Sequence, residues 1–313
     1  MTDTAPVISV HDLVVDYGRG KKKVRALDGI SFKVMPGECV GFIGANGAGK
    51  TTTIKVLMGF IFPLKGDVQV FGEQAGTVAS RRRIGYLPEV ALYYPFMKAR
   101  ELLEIYGGLS GLSKDKLKED IPPLLEKVGL AGKSEILLKN YSKGMQQRLG
   151  IAQAIIADPE ALIFDELSTG LDPIGRFDLR SVLLNLKKRG RTIFFSSHEL
   201  TEVEALCDRV IIIHKGRIVT ESTVGELKKP LNLFEVIFSL PEGVVLPTFV
   251  AQYKLVEEGN QQRIEFNNVE EYSRAVSALA SAGAVIHRTF SKTRTLEEYF
   301  IGLVEGIEGV GDK

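Results

Sequence analysis

The order of apolar and polar residues in the first ninety positions predicts a small β-layer that leads into an α/β core. Residues 7–17 are rich in β-branched residues, which favours a strand, and residues 26–34 predict a second strand. A continuous apolar run at 40–43 predicts a buried strand, which is followed by glycines and by a helical stretch that Lys50 and Thr51 open and that continues through 54–58. Residues 66–72 predict a further strand, and residues 81–89 predict one that enters a loop.

Helical spacing replaces the strand pattern after residue 90. Residues 98–108 and 117–128 predict two helices, and the prolines at 122 and 123 are expected to bend or start the second one. Ser142 occupies the N-cap position of a third predicted helix. Because no strand pattern occurs between about 90 and 160, we predict a helical subdomain over about 90–158, inserted in the α/β domain.

Strands and helices alternate again after this insertion, and a linker at 226–230 divides the chain. Strands are predicted at 161–164, 192–197 and 210–213, with helices at 177–188 and 199–207. The first domain is therefore predicted over 5–228, and a small α+β domain over 231–306. The second domain is expected to contain strands at 233–240, 249–256, 262–266 and 284–290 and helices at 269–282 and 295–304.

The glycine-rich segment after the strand at 40–43 matches the phosphate-loop pattern G-x-x-x-x-G-K-[ST], from Gly44 to Thr51. Its glycines let backbone N–H groups surround a polyphosphate, and the following helix adds the positive end of its dipole. Lys50 can then reach the β- and γ-phosphates, and the Thr51 hydroxyl can ligate Mg²⁺. The alternative is an ordinary turn, which the match at every fixed position disfavours.

Two carboxylates end the apolar run at 161–164, where ligands bind in open α/β sheets. We expect Asp165 to hold Mg²⁺ through water and Glu166 to accept a proton from the attacking water. His198 follows the strand at 192–197 and is a candidate for contact with the γ-phosphate at the same edge. Taken alone, the two acids could equally be a simple strand end, but together with the phosphate loop they favour hydrolysis of a nucleoside triphosphate.

Two weaker candidates lie outside these motifs. Ser142 and Gly144 begin a helix whose free N–H groups form a second candidate anion site, although an ordinary capped helix is the simpler explanation for this segment alone. Tyr17 ends a strand and could stack on a nucleotide base, although an aromatic residue at a strand end more often packs.

Composition narrows the class of protein. The 313 residues carry 40 Lys and Arg against 39 Asp and Glu, a balance that argues against a general nucleic-acid binder. Cys39 and Cys207 are expected to be reduced, buried thiols without a disulfide between them. We find no signal peptide and no apolar run of membrane-spanning length, so any membrane role is expected to need a separate partner chain.

Taken in order, the motifs over about 5–225 resemble the nucleotide-binding subunit of ATP-binding cassette (ABC) transporters. Gly44 to Thr51 resembles the Walker A loop, and 162–165 with Glu166 resembles Walker B and its catalytic glutamate. Residues 141–146 stand in the place of the signature motif, and 169–172 resemble the D-loop. The resemblance implies an α/β P-loop NTPase fold of the ABC type, with a β-layer, a parallel-sheet core and a helical subdomain, followed by the small α+β domain.

The resemblance also implies a role for each matching residue. Catalysis is expected from Glu166, His198 and Lys50, where His198 resembles the switch histidine. Mg²⁺ is expected at Thr51, Asp165 and Glu89. ATP is expected to contact Tyr17, Gly44, Asn46, Gly47, Ala48, Gly49, Lys50, Thr51, Thr52, Glu89, Ser142, Gly144 and Asp172.

In this family two nucleotide-binding domains face each other head to tail, with ATP between the Walker A loop of one and the signature of the other. The resemblance therefore implies a second copy or a sister subunit, most simply a homodimer, and a separate transmembrane permease. It places the chain on the cytoplasmic face of the cell membrane as a peripheral subunit, without a nucleic-acid partner. Closure on ATP and opening after hydrolysis are expected to drive transport.

Four positions depart from the usual family pattern. Tyr141, Lys143 and Met145 replace Leu, Gly and Gln in the signature, and Glu89 stands where the family usually has glutamine. A carboxylate at 89 can still accept a hydrogen bond from a Mg²⁺-bound water, but its charge beside the phosphates could slow hydrolysis. These departures resemble the branch that exports drugs, polysaccharides and lipids, so export is expected rather than import.

Two alternatives stay open at this stage. Cassette ATPases also work in soluble machines, although those usually carry coiled coils, tandem cassettes or basic linkers, which this chain lacks. An ATP-dependent clamp with weak hydrolysis is suggested by Glu89 and Met145, and a comparison of ATP affinity with turnover separates it from a transport ATPase.

Overall fold

The computed structural model describes residues 5–18, 20–167, 170–227, 230–293 and 296–299. By its internal contacts the chain divides into two units, Met1–Val224 and Gly225–Lys313. The predicted domains, 5–228 and 231–306, place the boundary a few residues after Val224. These limits stay a prediction. In the described parts of the chain, no helix combines the length and apolar character that crossing a membrane requires.

The first unit contains two sheets and several helices. Its strands are β1 (Ile8–Tyr17), β2 (Val24–Val34), β3 (Cys39–Ile43), β4 (Lys65–Val70), β5 (Glu73–Gln74), β6 (Ile84–Leu87), β7 (Ala161–Phe164), β8 (Thr192–Ser197), β9 (Arg209–His214) and β10 (Arg217–Thr223). The helices up to residue 227 are α1 (Lys50–Leu57), α2 (Val78–Arg82), α3 (Ala99–Leu109), α4 (Lys114–Lys127), α5 (Lys143–Ile155), α6 (Pro173–Lys188), α7 (Leu200–Leu206) and α8 (Val224–Leu227).

A six-stranded sheet in the order β10-β9-β3-β8-β7-β6 forms the centre of this unit. The strands from β9 to β6 run parallel, and β10 returns antiparallel to β9. Every residue of β3, β7 and β8 is buried; the first two strands are continuously apolar, whereas β8 also buries the hydroxyls of Thr192, Ser196 and Ser197. Parallel strands end at the same edge of a sheet, so the residues that follow β3, β7 and β8 lie close together there. The last residues of β3 and β8, Ile43 and Ser197, are paired with each other.

The β-layer is the antiparallel sheet β2-β1-β4-β5, and it shares one hydrophobic core with the central sheet. Phe32 of the layer stacks on Phe194 of β8, with ring centroids 5.7 Å apart, and lies 5.6 Å from the ring of Phe42 in β3. The predicted combination of a β-layer and a parallel-sheet core is confirmed.

The segment between β6 and β7 is helical, as predicted, and its only strand-like feature is an isolated bridge between Lys98 and Leu137. The two prolines at 122 and 123 do not start α4, because the helix begins eight residues earlier, after its N-cap Ser113. Leu117, Ile121 and Leu125 form a buried stripe on α4, and this packing holds the helix together across the prolines.

Two other predicted elements differ in their bounds. The strand predicted at 81–89 is shorter than expected and consists of β6 alone. Arg81 and Arg82 instead form the end of the short helix α2, whose N-cap is Thr77. Helix α6 begins at Pro173 instead of 177 because Asp172 caps it and proline fits the first helical position.

Both cysteines are buried and free, as the sequence predicts. Burial raises the pKa of the Cys207 thiol well above its usual range, and a hydrogen bond with Cys39 raises it further. The two thiols are therefore neighbours, although 168 positions separate them in the chain.

The second unit contains β11 (Pro230–Ser239), α9 (Thr248–Ala251), β12 (Val256–Glu258), β13 (Gln261–Phe266), α10 (Val269–Ser281) and β14 (Val285–Thr293). Its described strands form an antiparallel sheet in the order β12-β13-β11-β14. A core that includes Val236, Phe238, Ile264, Phe266 and Leu279 lies between the sheet and α10. The unit is α+β, as predicted.

The strand predicted at 249–256 is wrong. Pro247 instead precedes a short helix, α9, and only Val256 enters a strand. Phe249 in this helix and Tyr253, two residues beyond its end, bring their rings to 5.5 Å from each other, a contact that the alternation in the sequence did not indicate. Most of the helix predicted at 295–304 lies outside the described residues. The part that the structure describes, residues 296–299, is helical.

Candidate functional site

The loop between β3 and α1 is shaped by glycines that each meet a different constraint. Gly47 and Gly49 have φ angles of 78° and 116°, which L side chains rarely adopt. At Gly44 a Cβ atom would lie 2.4 Å from the carbonyl oxygen of Ile213, so a side chain does not fit. Lys50 follows as the first residue of α1, and its buried Nζ donates to the Gly44 carbonyl at 2.7 Å.

A cavity of about 380 Å³ opens over this loop. The predicted site residues that line it come from four parts of the chain: Asn46, Gly47, Gly49, Lys50, Thr51, Thr52, Glu89, Glu166 and His198. Tyr17 lies beside them, with its hydroxyl 3.4 Å from Thr52 Oγ1. The volume falls in the range of small-molecule sites.

Asp165 and Glu166 follow β7 and point to different partners. The Thr51 hydroxyl donates to Asp165 Oδ1 at 3.2 Å. Glu166 has a left-handed φ of 51°, and its two carboxylate oxygens contact Lys50 Nζ at 3.2 Å and His198 Nδ1 at 2.6 Å. Both acids are almost fully buried, whereas more than half of the His198 side chain is exposed. The fold thus joins the phosphate loop, the acidic pair and the histidine.

The electrostatics of Asp165 favour binding of a cation. Burial raises the pKa of the Asp165 carboxyl, hydrogen bonds from Ser196 and Thr51 oppose this, and the neighbouring Glu166 charge raises it further. A hydroxyl and a carboxylate are the oxygen donors that Mg²⁺ prefers, so the residues fit this ion. The described residues contain no cluster of three or more His, Cys, Asp or Glu side chains that could hold a metal ion.

Sequence reasoning missed Ser196, which contacts both acids. Its hydroxyl donates to Asp165 Oδ1 at 2.7 Å and accepts from the Glu166 N–H at 2.8 Å. Two consecutive serines after the apolar residues 193–195 were the available signal, because a buried polar side chain requires a partner.

A second cavity, of about 490 Å³, lies at the N-terminus of α5. Ser142 caps the helix by accepting from the Met145 N–H at 3.2 Å, and Gly144 lies in the first turn. Asp172 lines this cavity as well and caps α6 through a 2.7 Å hydrogen bond from the Gly175 N–H. Of the predicted D-loop, Thr169 lies outside the described residues. The predicted nucleotide contacts therefore fall into two groups on one unit.

Comparisons with known proteins identify relatives over nearly the whole chain. A family model described as "ABC transporter" matches residues 27–169. The Bacitracin transport ATP-binding protein BcrA of Bacillus licheniformis is 36% identical over 309 residues, which cover 96% of this chain and 98% of that protein. The Nod factor export ATP-binding protein I of Paraburkholderia xenovorans is 40% identical over 210 residues, 66% of this chain and 68% of the relative.

A solved structure described as an ATP binding subunit of an ABC transporter also matches. It superimposes with a TM-score of 0.65 and 32% identity, and the match covers 71% of this chain and 92% of the other. The matched fold is the P-loop cassette, which agrees with the predicted fold class.

Proposed function

This chain belongs to the family of ABC transporter ATP-binding proteins, and from that membership we propose how its two cavities divide the work of ATP hydrolysis. The chain is an ABC-type ATPase subunit that binds and hydrolyses ATP for transport.

The first cavity would hold the phosphates of ATP. The backbone N–H groups of the loop, such as those of Asn46 and Gly49, would bind the phosphate chain, and Tyr17 would stack on the base. Lys50 now donates to carbonyl oxygens and pairs with Glu166. On binding, it would exchange these partners for phosphate oxygens, which releases the Glu166 carboxylate toward the attacking water.

Thr51 and Asp165 would hold Mg²⁺ directly or through water, with Glu89 on a bound water at the rim of the cavity. When bound, the ion would supply positive charge that offsets the negative charge developing on the phosphates. Glu166 would accept the proton of the water, and His198 would orient Glu166 and face the γ-phosphate.

The second cavity would serve the ATP of another copy. It contains a helix N-terminus with Ser142 and Gly144, but neither a phosphate loop nor the paired acids. A head-to-tail homodimer would bring this helix end to the phosphates bound by the partner, because free N–H groups favour anions. Exposed Ile174 and Phe177, at the start of α6 after Asp172, would lie close to that contact.

The membrane partner would dock on an exposed apolar segment after β6. Its side chains are between 66% and 90% exposed at Val90, Leu92, Tyr94 and Phe96. Exposure of several neighbouring large apolar side chains to water is unfavourable and marks an interaction surface. We assign this surface to the cytoplasmic side of a permease. The family relative named for Nod factor export supports an export direction.

The observation that carries the catalytic proposal is the contact of Glu166 with both Lys50 and His198 beside the phosphate loop. The test is Glu166→Gln, which keeps the shape of the side chain and removes its basicity. Turnover should fall by about 10²–10⁴-fold, the usual contribution of a general base, while ATP affinity is retained.

Glu160→Gln is the matched control, since Glu160 precedes the same strand and forms a surface ion pair with Arg83. It should leave turnover unchanged. Steady-state hydrolysis at the wild-type rate by Glu166→Gln would contradict the assignment of the base.

The same Glu166→Gln variant tests the partner proposal. With ATP, the trapped closed assembly should recover a multi-span membrane protein from detergent-solubilised native membranes. Recovery of soluble partners alone, with the protein absent from membranes, would instead favour a soluble machine.

A further inference from the structure

A buried hydroxyl group on β8 connects the two carboxylates that end β7. Ser196 Oγ donates its hydrogen to Asp165 Oδ1 at 2.7 Å and accepts a hydrogen bond of 2.8 Å from the Glu166 N–H. A serine hydroxyl has one hydrogen and two lone pairs, so this one side chain can satisfy both partners. The side chain is fully buried, and the link is therefore shielded from water.

The two hydrogen bonds act on different parts of the acidic pair. The bond to Asp165 orients its carboxylate, to which Thr51 also donates. The bond from the Glu166 N–H fixes the peptide at which the chain enters the left-handed conformation, with φ at 51°. This turn allows Glu166 to contact Lys50 and His198 while Asp165 faces Thr51.

We propose that Ser196 is a positioning residue for ATP hydrolysis, holding Asp165 in place for the metal ion and Glu166 in place for the attacking water. The inference rests on the proposed function of the same cavity. Ser196 is not among the described residues that line that cavity, so it acts through the two carboxylates and not on the nucleotide.

Thr192 offers a matched control on the same strand. It is buried, and its hydroxyl accepts a 2.9 Å hydrogen bond from the Gly37 N–H, at the opposite end of β8. Replacing Thr192 with valine removes a buried hydroxyl of the same kind without touching either acid. The control separates a general loss of strand stability from loss of positioning.

The experiment uses the full chain and the variants Ser196→Ala and Thr192→Val. Mn²⁺, which stands in for Mg²⁺, is titrated by electron paramagnetic resonance in the complex with a non-hydrolysable ATP analogue. ATP affinity in EDTA and the kcat and KM of hydrolysis are measured beside it.

For Ser196→Ala we expect the Kd for Mn²⁺ to rise by about 10-fold and kcat to fall by about 10- to 100-fold, the usual effect of removing a group that orients metal ligands. Metal-free ATP binding and KM should not change, because the loop backbone and Lys50 make those contacts. Thr192→Val should leave the Mn²⁺ affinity and kcat unchanged.

Wild-type Mn²⁺ affinity and kcat in Ser196→Ala would overturn the proposal, and so would equal losses in both variants. If Ser196→Ala loses metal-free ATP binding through misfolding, Ser196→Cys replaces it under the same criteria, since a thiol fills the space but is a weak donor. Failure of the wild type to hydrolyse ATP would instead overturn the proposed function, while the Mn²⁺ titration still decides the role of Ser196.

Discussion

At the scale of single residues, the site places groups in positions that are unfavourable for the isolated protein. Glu166 adopts a left-handed backbone, which costs about 1–3 kcal/mol for a residue other than glycine. Asp165 is only 2% exposed, and burial raises the pKa of its carboxyl. Strain and buried charge of this kind concentrate where a ligand will later compensate for them.

One consequence is that Asp165→Asn should stabilise the protein in EDTA without nucleotide. The amide oxygen can still accept from Ser196 and Thr51, and the buried charge disappears. A gain of about 1 kcal/mol would raise the unfolding midpoint at pH 7 by about 2–4 °C, as measured by calorimetry.

The pH dependence of folding stability follows from the direction in which folding shifts the pKa of Asp165. The pKa of Asp165 is higher in the folded than in the unfolded chain, so between these two values the folded state binds more protons. Stability therefore falls as pH rises through this window, and the advantage of Asp165→Asn should vanish below the usual value of 3.8. An advantage that persists at lower pH would contradict a charge-based cause.

At the scale of elements, two helix N-termini meet at the second cavity. Ser142 caps α5, Asp172 caps α6, and Gly144 lies beside the loop before α6, where an added Cβ would be in ordinary contact with the Gly170 carbonyl at 3.6 Å. Neither helix has an acidic residue in its first turn, and Lys143 begins α5. The positive end of α5, which the neutral Ser142 caps, therefore stays available for an external anion, whereas the Asp172 carboxylate already lies at the positive end of α6.

Two capping serines allow the structural and functional roles of Ser142 to be separated. Ser142→Ala and Ser113→Ala each remove an N-cap, of α5 and α4 respectively, and each should cost about 1 kcal/mol of stability. Only Ser142→Ala should also reduce ATP hydrolysis, by about 10- to 100-fold, because a hydrogen bond to a charged group contributes about 1.5–3 kcal/mol.

The measurement combines thermal unfolding with steady-state ATPase assays of both variants. Equal turnover in the two variants would show that Ser142 only caps its helix, and the second cavity would then lose its assignment.

At the scale of the whole molecule, all predicted site residues lie in the first unit, and each unit has its own hydrophobic core. The core of the second unit includes an aromatic cluster in which Tyr253 contacts Phe266 with ring centroids 4.8 Å apart. Separate cores predict that the units fold independently.

A chain that ends at residue 227 should therefore fold and bind ATP with the affinity of the full chain. Circular dichroism and titration with a fluorescent ATP analogue test this expectation, with the full chain as the control. A truncated protein that is unfolded, or folded but unable to bind ATP, would show that the first unit depends on the second.

The sequence by itself determined the elements whose patterns are local. The phosphate loop, the apolar strands and the capped helix after Ser142 depend on neighbouring residues, and their positions were predicted nearly to the residue. The short helix at Thr248–Ala251 was not predicted, because the alternation at 249–256 is equally compatible with a strand. Only the tertiary contact between the rings of Tyr253 and Phe266 distinguishes the two.

Only the tertiary structure decided which groups touch. The sequence placed Asp165, Glu166 and His198 at one sheet edge, but the pairing of β7 with β8 brought Ser196 between the acids and joined Glu166 to Lys50 and His198. It also separated Asp172 and Ser142 from the phosphate loop as a second group. The reason is physical: a pattern encodes local conformation, whereas contact between distant residues depends on strand register and packing.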